Sequence, residues 1–148
     1  MSRLEQLYQD MILEHNKHPR HFESIESPTH TAFGKNPLCG DEYHLSVEIK
    51  DNVVFLIGFQ GSGCAISKSS ASMMTELVLG KSVQEALQIK EAFLTLLMQD
   101  EAGTDRSLLG KLMVFEGVKK YPVRVKCATL IWRTLEAALE GVVEVSTE

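Results

Sequence analysis

The chain has 148 residues, of which 44% are hydrophobic and 24% charged, and its formal net charge is −5. This length predicts one domain with a core of its own, and the acidic balance argues against a nucleic-acid-binding protein, which needs a basic surface. The apolar runs fall short of the roughly 20 residues that cross a bilayer, and the N-terminus lacks the apolar segment of a signal peptide. We therefore expect a cytoplasmic globular protein that binds neither nucleic acid nor membrane.

The first predicted element is an amphipathic helix over residues 2–16, in which apolar residues recur at helical spacing. Ser2 and Glu5 stand at its start with the spacing of a capping box. Residues 22–38 contain two prolines and a glycine and no clear period, so this segment is predicted to be irregular.

Two strands joined by a tight turn are predicted next. Apolar and polar residues alternate over 43–49, which is typical of a strand with one buried face. The run 53–60 is more continuously apolar, so we expect this second strand to lie more centrally in the sheet. Asp51-Asn52 separates the two runs and indicates an antiparallel hairpin.

The second half of the chain is predicted to be helical, because apolar residues return to a period near 3.6. The predicted helical segments are 65–79, 82–98 with a break near Lys90, 108–115 and 122–140. Polar residues over 99–107 indicate a surface loop between two of them. The last residues show no period and no partner, so we expect a single domain over 1–141 followed by a flexible tail over 142–148.

Strands gathered early and helices late predict an α+β fold, with a small antiparallel sheet of about three strands and helices packed over it. Three cysteines punctuate this plan, each where a turn gives way to regular structure: Cys39, Cys64 and Cys127. An odd number of widely spaced cysteines does not suggest a disulfide framework. In a cytosolic protein such cysteines are more often metal-binding or catalytic.

We expect the three cysteines to converge on one metal site with Asp41 as a fourth ligand, because thiolate and carboxylate both bind zinc. Cys64 opens a helix, whose free N–H groups stabilise a thiolate, and Cys127 stands near the cations Arg124 and Lys126. The separations of 64 − 39 = 25 and 127 − 64 = 63 residues match no short zinc-finger rule. On the residues alone, three small buried core residues remain the alternative, since free cysteine is often buried.

Three segments resemble the motifs of the U-type iron–sulfur cluster assembly family, which contains IscU, SufU and the N-terminal domain of NifU. They are Asn36-Pro37-Leu38-Cys39-Gly40-Asp41, then Gly61-Ser62-Gly63-Cys64-Ala65-Ile66-Ser67, then Pro122 through Leu135. The resemblance covers nearly the whole chain. Within the family it is closest to the SufU branch, because Lys126 stands where IscU-like members carry histidine and residues 99–120 look like an insertion.

The resemblance implies that Cys39, Asp41, Cys64 and Cys127 bind Zn²⁺. It implies that a cysteine desulfurase of the SufS kind docks and presents a persulfide. Cys39 would accept the sulfur and pass it to a downstream iron–sulfur assembly complex, so the protein is sulfurtransferase-like and not a free-standing enzyme. Arg124 and Lys126 would tune the site or contact a partner.

Two other functions fit the same residues. In the first, the protein is a scaffold on which a [2Fe–2S] cluster is assembled transiently at Cys39, Cys64 and Cys127. In the second, the zinc site is purely structural and the domain is an interaction module. A closed structural zinc site more often uses four cysteines or cysteine–histidine sets. This favours sulfur transfer and the scaffold over the purely structural site.

Overall fold

The computed structural model describes residues 2–98 and 105–147. Their elements, in chain order, are α1 (Arg3–Lys17), β1 (His30–Asn36), β2 (Asp41–Lys50), β3 (Val53–Ser62), α2 (Ala65–Val78), α3 (Val83–Met98), α4 (Arg106–Leu109), the 3₁₀ helix η1 (Gly110–Lys120), α5 (Pro122–Leu139) and β4 (Glu144–Ser146). Helices pack over a small sheet, so the predicted α+β class is confirmed. Among the described residues, no helix has both the length and the apolar content that crossing a membrane requires.

The sheet has the strand order β3-β2-β1-β4. Strand β2 is antiparallel to both β1 and β3, while β4 runs parallel to β1. The prediction that 53–60 is the more central strand of the hairpin is therefore wrong, because β1 occupies the other side of β2. The apolar character of β3 has another cause: the segment before β1 covers it, with Phe22 edge-on to Phe59 at 5.1 Å and the Phe59 N–H bonded to the His21 carbonyl.

Strand β1 lies in the segment that was predicted to be irregular. Its inward residues are Ala32, Gly34 and Asn36, which are buried but too small or too polar to produce an apolar alternation. Gly34 has no side chain because Thr134 of α5 occupies the space that a Cβ atom would need. The close approach of α5 to the sheet thus hides this strand from pattern analysis.

Local sequence signals predicted the other boundaries well. Asp51 and Asn52 both have positive φ, at 52° and 63°, as the turn of a tight right-twisted hairpin requires. Ser2 accepts a hydrogen bond from the Glu5 N–H at 3.1 Å, which confirms the cap of α1. Pro122 occupies the first turn of α5, where its missing N–H costs nothing.

Helix α3 is continuous, so the predicted break near Lys90 is wrong. The Lys90 side chain interrupts the apolar face but is 4% exposed, and its ammonium group pairs with Glu136 of α5 and with Glu91. An ion pair with a buried lysine and a partly exposed Glu136 therefore replaces an apolar contact between α3 and α5. Of the predicted surface loop 99–107, residues 99–104 lie outside the described residues, and the rest begins α4.

The expected lack of a partner for the tail is also corrected. Residues Glu144–Ser146 form β4, whose register places Val145 opposite Gly34 of β1. Only three residues pair, too few for an alternating pattern to be visible in the sequence. The flexibility of 142–148 and the division at residue 141 stay predictions.

Helices α2 and α5 form the layer that matters for the cysteines. Helix α5 packs on β1, β2 and α2 together. Serines buried along α2 permit this close packing: Ser70 Oγ bonds to the Ala128 carbonyl at 2.6 Å and accepts from Trp132 Nε1 at 3.2 Å. The start of α5 is thereby fixed beside the loop that joins β1 to β2.

Candidate metal centre

A short loop carries the first cysteine. Asn36 ends β1 and Asp41 begins β2, and the two face each other in register. The Asn36 carbonyl accepts hydrogen bonds from the N–H groups of Cys39 at 3.3 Å and Gly40 at 2.9 Å. Gly40 has φ +73°, a left-handed conformation that favours glycine. The turn leaves Cys39 half-buried at the tip and Asp41 fully buried at the base.

Helix α5 brings the third cysteine to this loop. Cys127 is fully buried, and its Sγ lies 3.2 Å from Cys39 Sγ although the two residues are 88 positions apart. One ligand atom each from Cys39, Asp41 and Cys127 lie within 4.8 Å of one another. The fold therefore assembles three of the four predicted ligands, which we call the cysteine–aspartate cluster.

The Asp41 carboxylate is held by neutral donors. Its Oδ2 accepts a hydrogen bond from Asn36 Nδ2 at 3.2 Å, and its Oδ1 accepts one from the Cys64 backbone N–H at 3.0 Å. It forms no ion pair with any described residue. A fully buried carboxylate is costly unless it is paired or coordinates a metal, so this position favours a cation.

Cys64 adjoins the cluster through its backbone. It is the N-cap of α2, and its Sγ accepts a hydrogen bond from the Ser67 N–H at 3.5 Å. Its sulfur is not among the atoms that lie within 4.8 Å of one another. The Cys64 sulfur therefore lies outside this group of three ligand atoms, and the predicted role of Cys64 as a metal ligand stays a prediction.

A close contact behind the cluster restricts residue 63 to glycine. A Cβ atom on Gly63 would overlap Ser67 Oγ, the Tyr43 hydroxyl and Asp41 Oδ1. The Tyr43 hydroxyl bonds to Ser67 Oγ at 2.8 Å, and burial raises the pKa of Tyr43 well above its usual value. These two hydroxyls and Asp41 Oδ1 therefore leave no room for a side chain at position 63.

The sequence predicted a thiolate at Cys127 because cations lie nearby, but burial has the larger effect. Burial raises the pKa of the Cys127 thiol, and the hydrogen bond with Cys39 and the contact with Asp41 raise it further. Burial therefore favours the protonated form of this thiol when no cation is near. A bound divalent cation displaces such protons, so metal affinity depends on pH.

The two predicted tuning residues differ. The guanidinium of Arg124 lies beside the Cys127 sulfur and within electrostatic reach of Cys64 and Cys39, which raises the pKa of Arg124. Lys126 is half-buried on α5, and its side chain makes no hydrogen bond or ion pair with the described residues. Arg124 is thus placed to balance negative charge at the cluster, whereas a role for Lys126 stays a prediction.

The cluster fits a zinc ion in donor type and nearly in spacing. On a tetrahedral zinc with Zn–S bonds of about 2.3 Å, two sulfur ligands lie about 3.8 Å apart. The two sulfurs here are 3.2 Å apart, so a relative shift of about 0.6 Å suffices. The same thiols are also donors that iron–sulfur clusters use.

The mouth of the site is apolar and basic. Its exposed apolar residues are Leu38, Tyr121 and Val123, which are 64%, 60% and 50% exposed. An open cleft of about 430 Å³ joins Cys39 to Tyr121, and Lys120 and Arg124 contribute positive charge to its wall. Clustered exposed apolar residues of this kind are typical of interaction surfaces.

The model of the NifU-like N-terminal domain matches residues 7–128 of this chain. The iron–sulfur cluster assembly scaffold protein IscU of Streptococcus pyogenes is 36% identical over 95% of the chain and 87% of its own length. The zinc-dependent sulfurtransferase SufU of Bacillus subtilis is 38% identical over 90% of the chain and 89% of its own length.

Solved structures resemble the fold closely. The crystal structure of FiSufU from Fervidobacterium islandicum superposes with a TM-score of 0.83 at 37% identity, covering 91% of this chain and 98% of that one. A NifU-like N-terminal protein from Brucella abortus gives a TM-score of 0.84 at 20% identity, over 95% of this chain and 97% of that one, and shows the shared fold.

Proposed function

Because the chain belongs to the family of NifU-like N-terminal domains, we propose that it is an iron–sulfur cluster assembly protein that binds zinc and accepts sulfur from a cysteine desulfurase. One observation carries the proposal: two thiols and a carboxylate from distant parts of the chain meet within 4.8 Å, and only one of them, Cys39, reaches the surface. Its curated relatives include proteins named as a scaffold and as a zinc-dependent sulfurtransferase.

The proposed roles of the site residues follow their exposure to solvent. Asp41 and Cys127 are fully buried and hold the metal, with Cys64 as the proposed fourth ligand. Cys39 lies on a loop at the surface and is the proposed acceptor of sulfur. Bound zinc keeps thiols deprotonated without redox chemistry of its own, which suits the transfer of reduced sulfur.

The proposed transfer is a thiol–persulfide exchange. The Cys39 thiolate attacks the terminal sulfur of the desulfurase persulfide, forming a new S–S bond while the old S–S bond breaks. The electron pair of the broken bond leaves on the desulfurase cysteine as a thiolate, and the proton of the terminal S–H travels with its sulfur to Cys39. No net oxidation occurs, and the rate depends on the thiolate fraction of the attacking residue.

The partner proposed to dock at the mouth is a desulfurase of the SufS kind. The apolar side chains of Leu38, Tyr121 and Val123 offer contact area, and the positive charges of Lys120 and Arg124 suit an acidic rim on the partner. Cys39 would then pass its sulfur to a downstream iron–sulfur assembly complex. We propose that this transfer takes place in the cytoplasm.

A second candidate function, the scaffold, is favoured by the same convergence of thiols and by the IscU relative. Anaerobic reconstitution with iron and sulfide separates the two functions. A stable visible chromophore at stoichiometric iron would favour the scaffold, whereas protein that retains zinc alone would favour sulfur transfer.

The deciding experiment combines metal analysis with sulfur transfer. We expect gently purified protein to hold about one zinc ion per chain, as a single tetrahedral site requires. With a SufS-type desulfurase and cysteine, mass spectrometry should find one added sulfur atom on Cys39. The Cys39→Ala variant should gain none and should no longer stimulate the desulfurase.

The matched control is Phe55→Ala, which removes an exposed apolar side chain near the opposite end of the hairpin and should accept sulfur normally. Asp41→Ala tests the purely structural zinc site, which predicts lost stability but unchanged sulfur transfer. Full sulfur loading of the Cys39→Ala variant would overturn the acceptor assignment.

A further inference from the structure

One residue outside the predicted ligand set touches every member of the cysteine–aspartate cluster. The Asn36 backbone carbonyl accepts from the Cys39 N–H at 3.3 Å. Its side-chain Nδ2 lies 3.2 Å from Asp41 Oδ2 and 3.6 Å from Cys127 Sγ. Asn36 is fully buried, so these contacts are shielded from water. It joins the loop, β2 and α5 at a single point.

The orientation of the Asn36 amide carries the inference. Its Oδ1 is buried and finds no hydrogen-bond partner among the described residues. A buried acceptor without a partner costs free energy, so such an arrangement needs a compensating interaction elsewhere. Turning the amide around would aim Oδ1 at the Asp41 carboxylate, which repels it. The cluster therefore fixes the amide with its two N–H groups facing the ligands.

We propose that Asn36 is a positioning residue of the metal site, whose side-chain amide donates one hydrogen bond to Asp41 and one to the Cys127 sulfur. These bonds hold the two buried ligands at coordinating distance. Donors of this kind behind metal ligands orient them and tune the metal. The inference rests on the proposed metal-binding function and adds a residue to it.

A merely structural role for Asn36 makes a different prediction. The bonds that shape the loop come from its backbone carbonyl, which any residue supplies. Replacing the side chain should therefore leave the hairpin intact and change only the contacts to Asp41 and Cys127. The two roles are separable by measuring metal binding and metal-free stability on the same variant.

The test is Asn36→Leu, which keeps the approximate size of the side chain but removes both the donor and the unpartnered acceptor. Metal-free protein is titrated anaerobically with Co²⁺, followed by displacement with Zn²⁺. We expect the affinity for both ions to fall about 10- to 100-fold, as for the loss of other supporting hydrogen bonds. The thiolate-to-cobalt absorption band should shift, while the melting temperature of the metal-free protein stays near that of the wild type.

The matched control is Thr134→Val, which removes a fully buried side-chain hydrogen bond elsewhere on α5, from Thr134 Oγ1 to the Leu130 carbonyl at 2.7 Å. This residue lies seven positions beyond Cys127, about 10 Å along the helix, so cobalt affinity and spectrum should be unchanged. Asn36→Ala provides a smaller substitution if the leucine variant fails to fold.

The outcomes separate the two proposals. If the wild type binds neither ion, the proposed function fails, and this inference fails with it. If the wild type binds and a folded Asn36 variant shows the same affinity and spectrum, the positioning role alone is overturned. Failure of both variants to fold without metal would likewise assign Asn36 a structural role and overturn the inference.

Discussion

Two regions of the molecule meet at the cluster, the loop before β2 and the start of α5, and they differ in burial and in how they are held. Cys39 lies half-buried on the Pro37–Gly40 loop beside the exposed Leu38, and Cys127 lies fully buried on α5. Their sulfurs are nevertheless only 3.2 Å apart. The buried side holds its geometry through packing, whereas the loop is held mainly by bonds to a single backbone carbonyl.

The difference teaches how one site can bind tightly and still react. A ligand set that is buried throughout would protect a metal but exclude a partner protein. A set exposed throughout would admit competing thiols and water. In the proposed function, the buried Asp41 and Cys127 would retain the metal, while Cys39 on its loop would transfer sulfur.

The largest expected effect is on the alkylation of the two thiols. In the native metal-free protein, iodoacetamide should modify Cys39 at least about 100-fold faster than Cys127, which corresponds to a local opening free energy of about 2.7 kcal/mol. The Cys127 thiol is fully buried and its raised pKa reduces the reactive thiolate further. Peptide mapping by mass spectrometry gives both rates, and unfolding in denaturant should bring them together. Equal rates in the native state would remove the contrast on which the comparison rests.

Gly63→Ala should disturb the buried side alone. The new Cβ atom overlaps Asp41 Oδ1, the Tyr43 hydroxyl and Ser67 Oγ, so these groups must move. We expect zinc affinity to fall about 10-fold or more and the free energy of unfolding to fall by about 1–3 kcal/mol. Gly117→Ala is the control, because a Cβ atom there meets nothing within 4 Å. Zinc titration and urea unfolding would contradict the prediction if the two variants matched.

Ser70→Ala tests whether packing of α2 against α5 supports the buried side without taking part in it. The substitution leaves the Ala128 carbonyl and Trp132 Nε1 without their partner, which should cost about 1–2 kcal/mol of unfolding free energy. Sulfur loading of Cys39 in the folded protein should be unchanged. A loss of sulfur loading equal to that of Cys39→Ala would show that the two regions are not separable.

The dependence of folding stability on pH also includes groups outside the cluster, and His15 is one of them. Burial lowers the pKa of His15 below 6.5, and its Nδ1 bonds to Ser72 Oγ at 2.7 Å. A histidine with a lowered folded-state pKa binds protons more readily when unfolded. Stability should therefore be complete above pH 6.5 and decline as the pH falls below it, by at most about 1.4 kcal/mol per pH unit.

Urea unfolding between pH 8 and pH 5 measures this decline, and the His15→Gln variant should show a shallower one. Zinc binding should not change between this variant and the wild type at pH 7.5, because His15 belongs to the α1–α2 contact and not to the cluster. An identical pH dependence in both proteins would assign the decline to other groups.

Fold elements whose boundaries are set by nearby residues could be predicted from the sequence. The capping residues Ser2 and Glu5, the Asp51-Asn52 turn and Pro122 each act within a few residues of the chain, and each lies where it was predicted. Elements fixed by distant contacts were not. Strand β1 looks irregular because α5 requires a glycine at Gly34, and β4 is too short to show a pattern.

The site divides in the same way. Residue chemistry and family resemblance together predicted Cys39, Asp41 and Cys127, which the fold brings within 4.8 Å. The sequence also placed the Cys64 sulfur beside free N–H groups at the start of a helix, and the structure identifies the donor as the Ser67 N–H. Asn36 was visible in the first motif but had no assigned role, since its contact with Cys127 spans 91 residues. Spacing along a chain does not reveal such contacts.

The 88 positions between Cys39 and Cys127 also determine the order in which the two ligands emerge during synthesis. Before the ribosome has added Cys127, the emerging chain contains Cys39 and Asp41 but not the third member of the cysteine–aspartate cluster. If the cluster binds a cation as proposed, tight binding requires that α5 has emerged and packed, since domains generally fold as units. A chain that ends before Cys127 would lack one of the three clustered ligands and would bind the proposed cation more weakly than the complete domain.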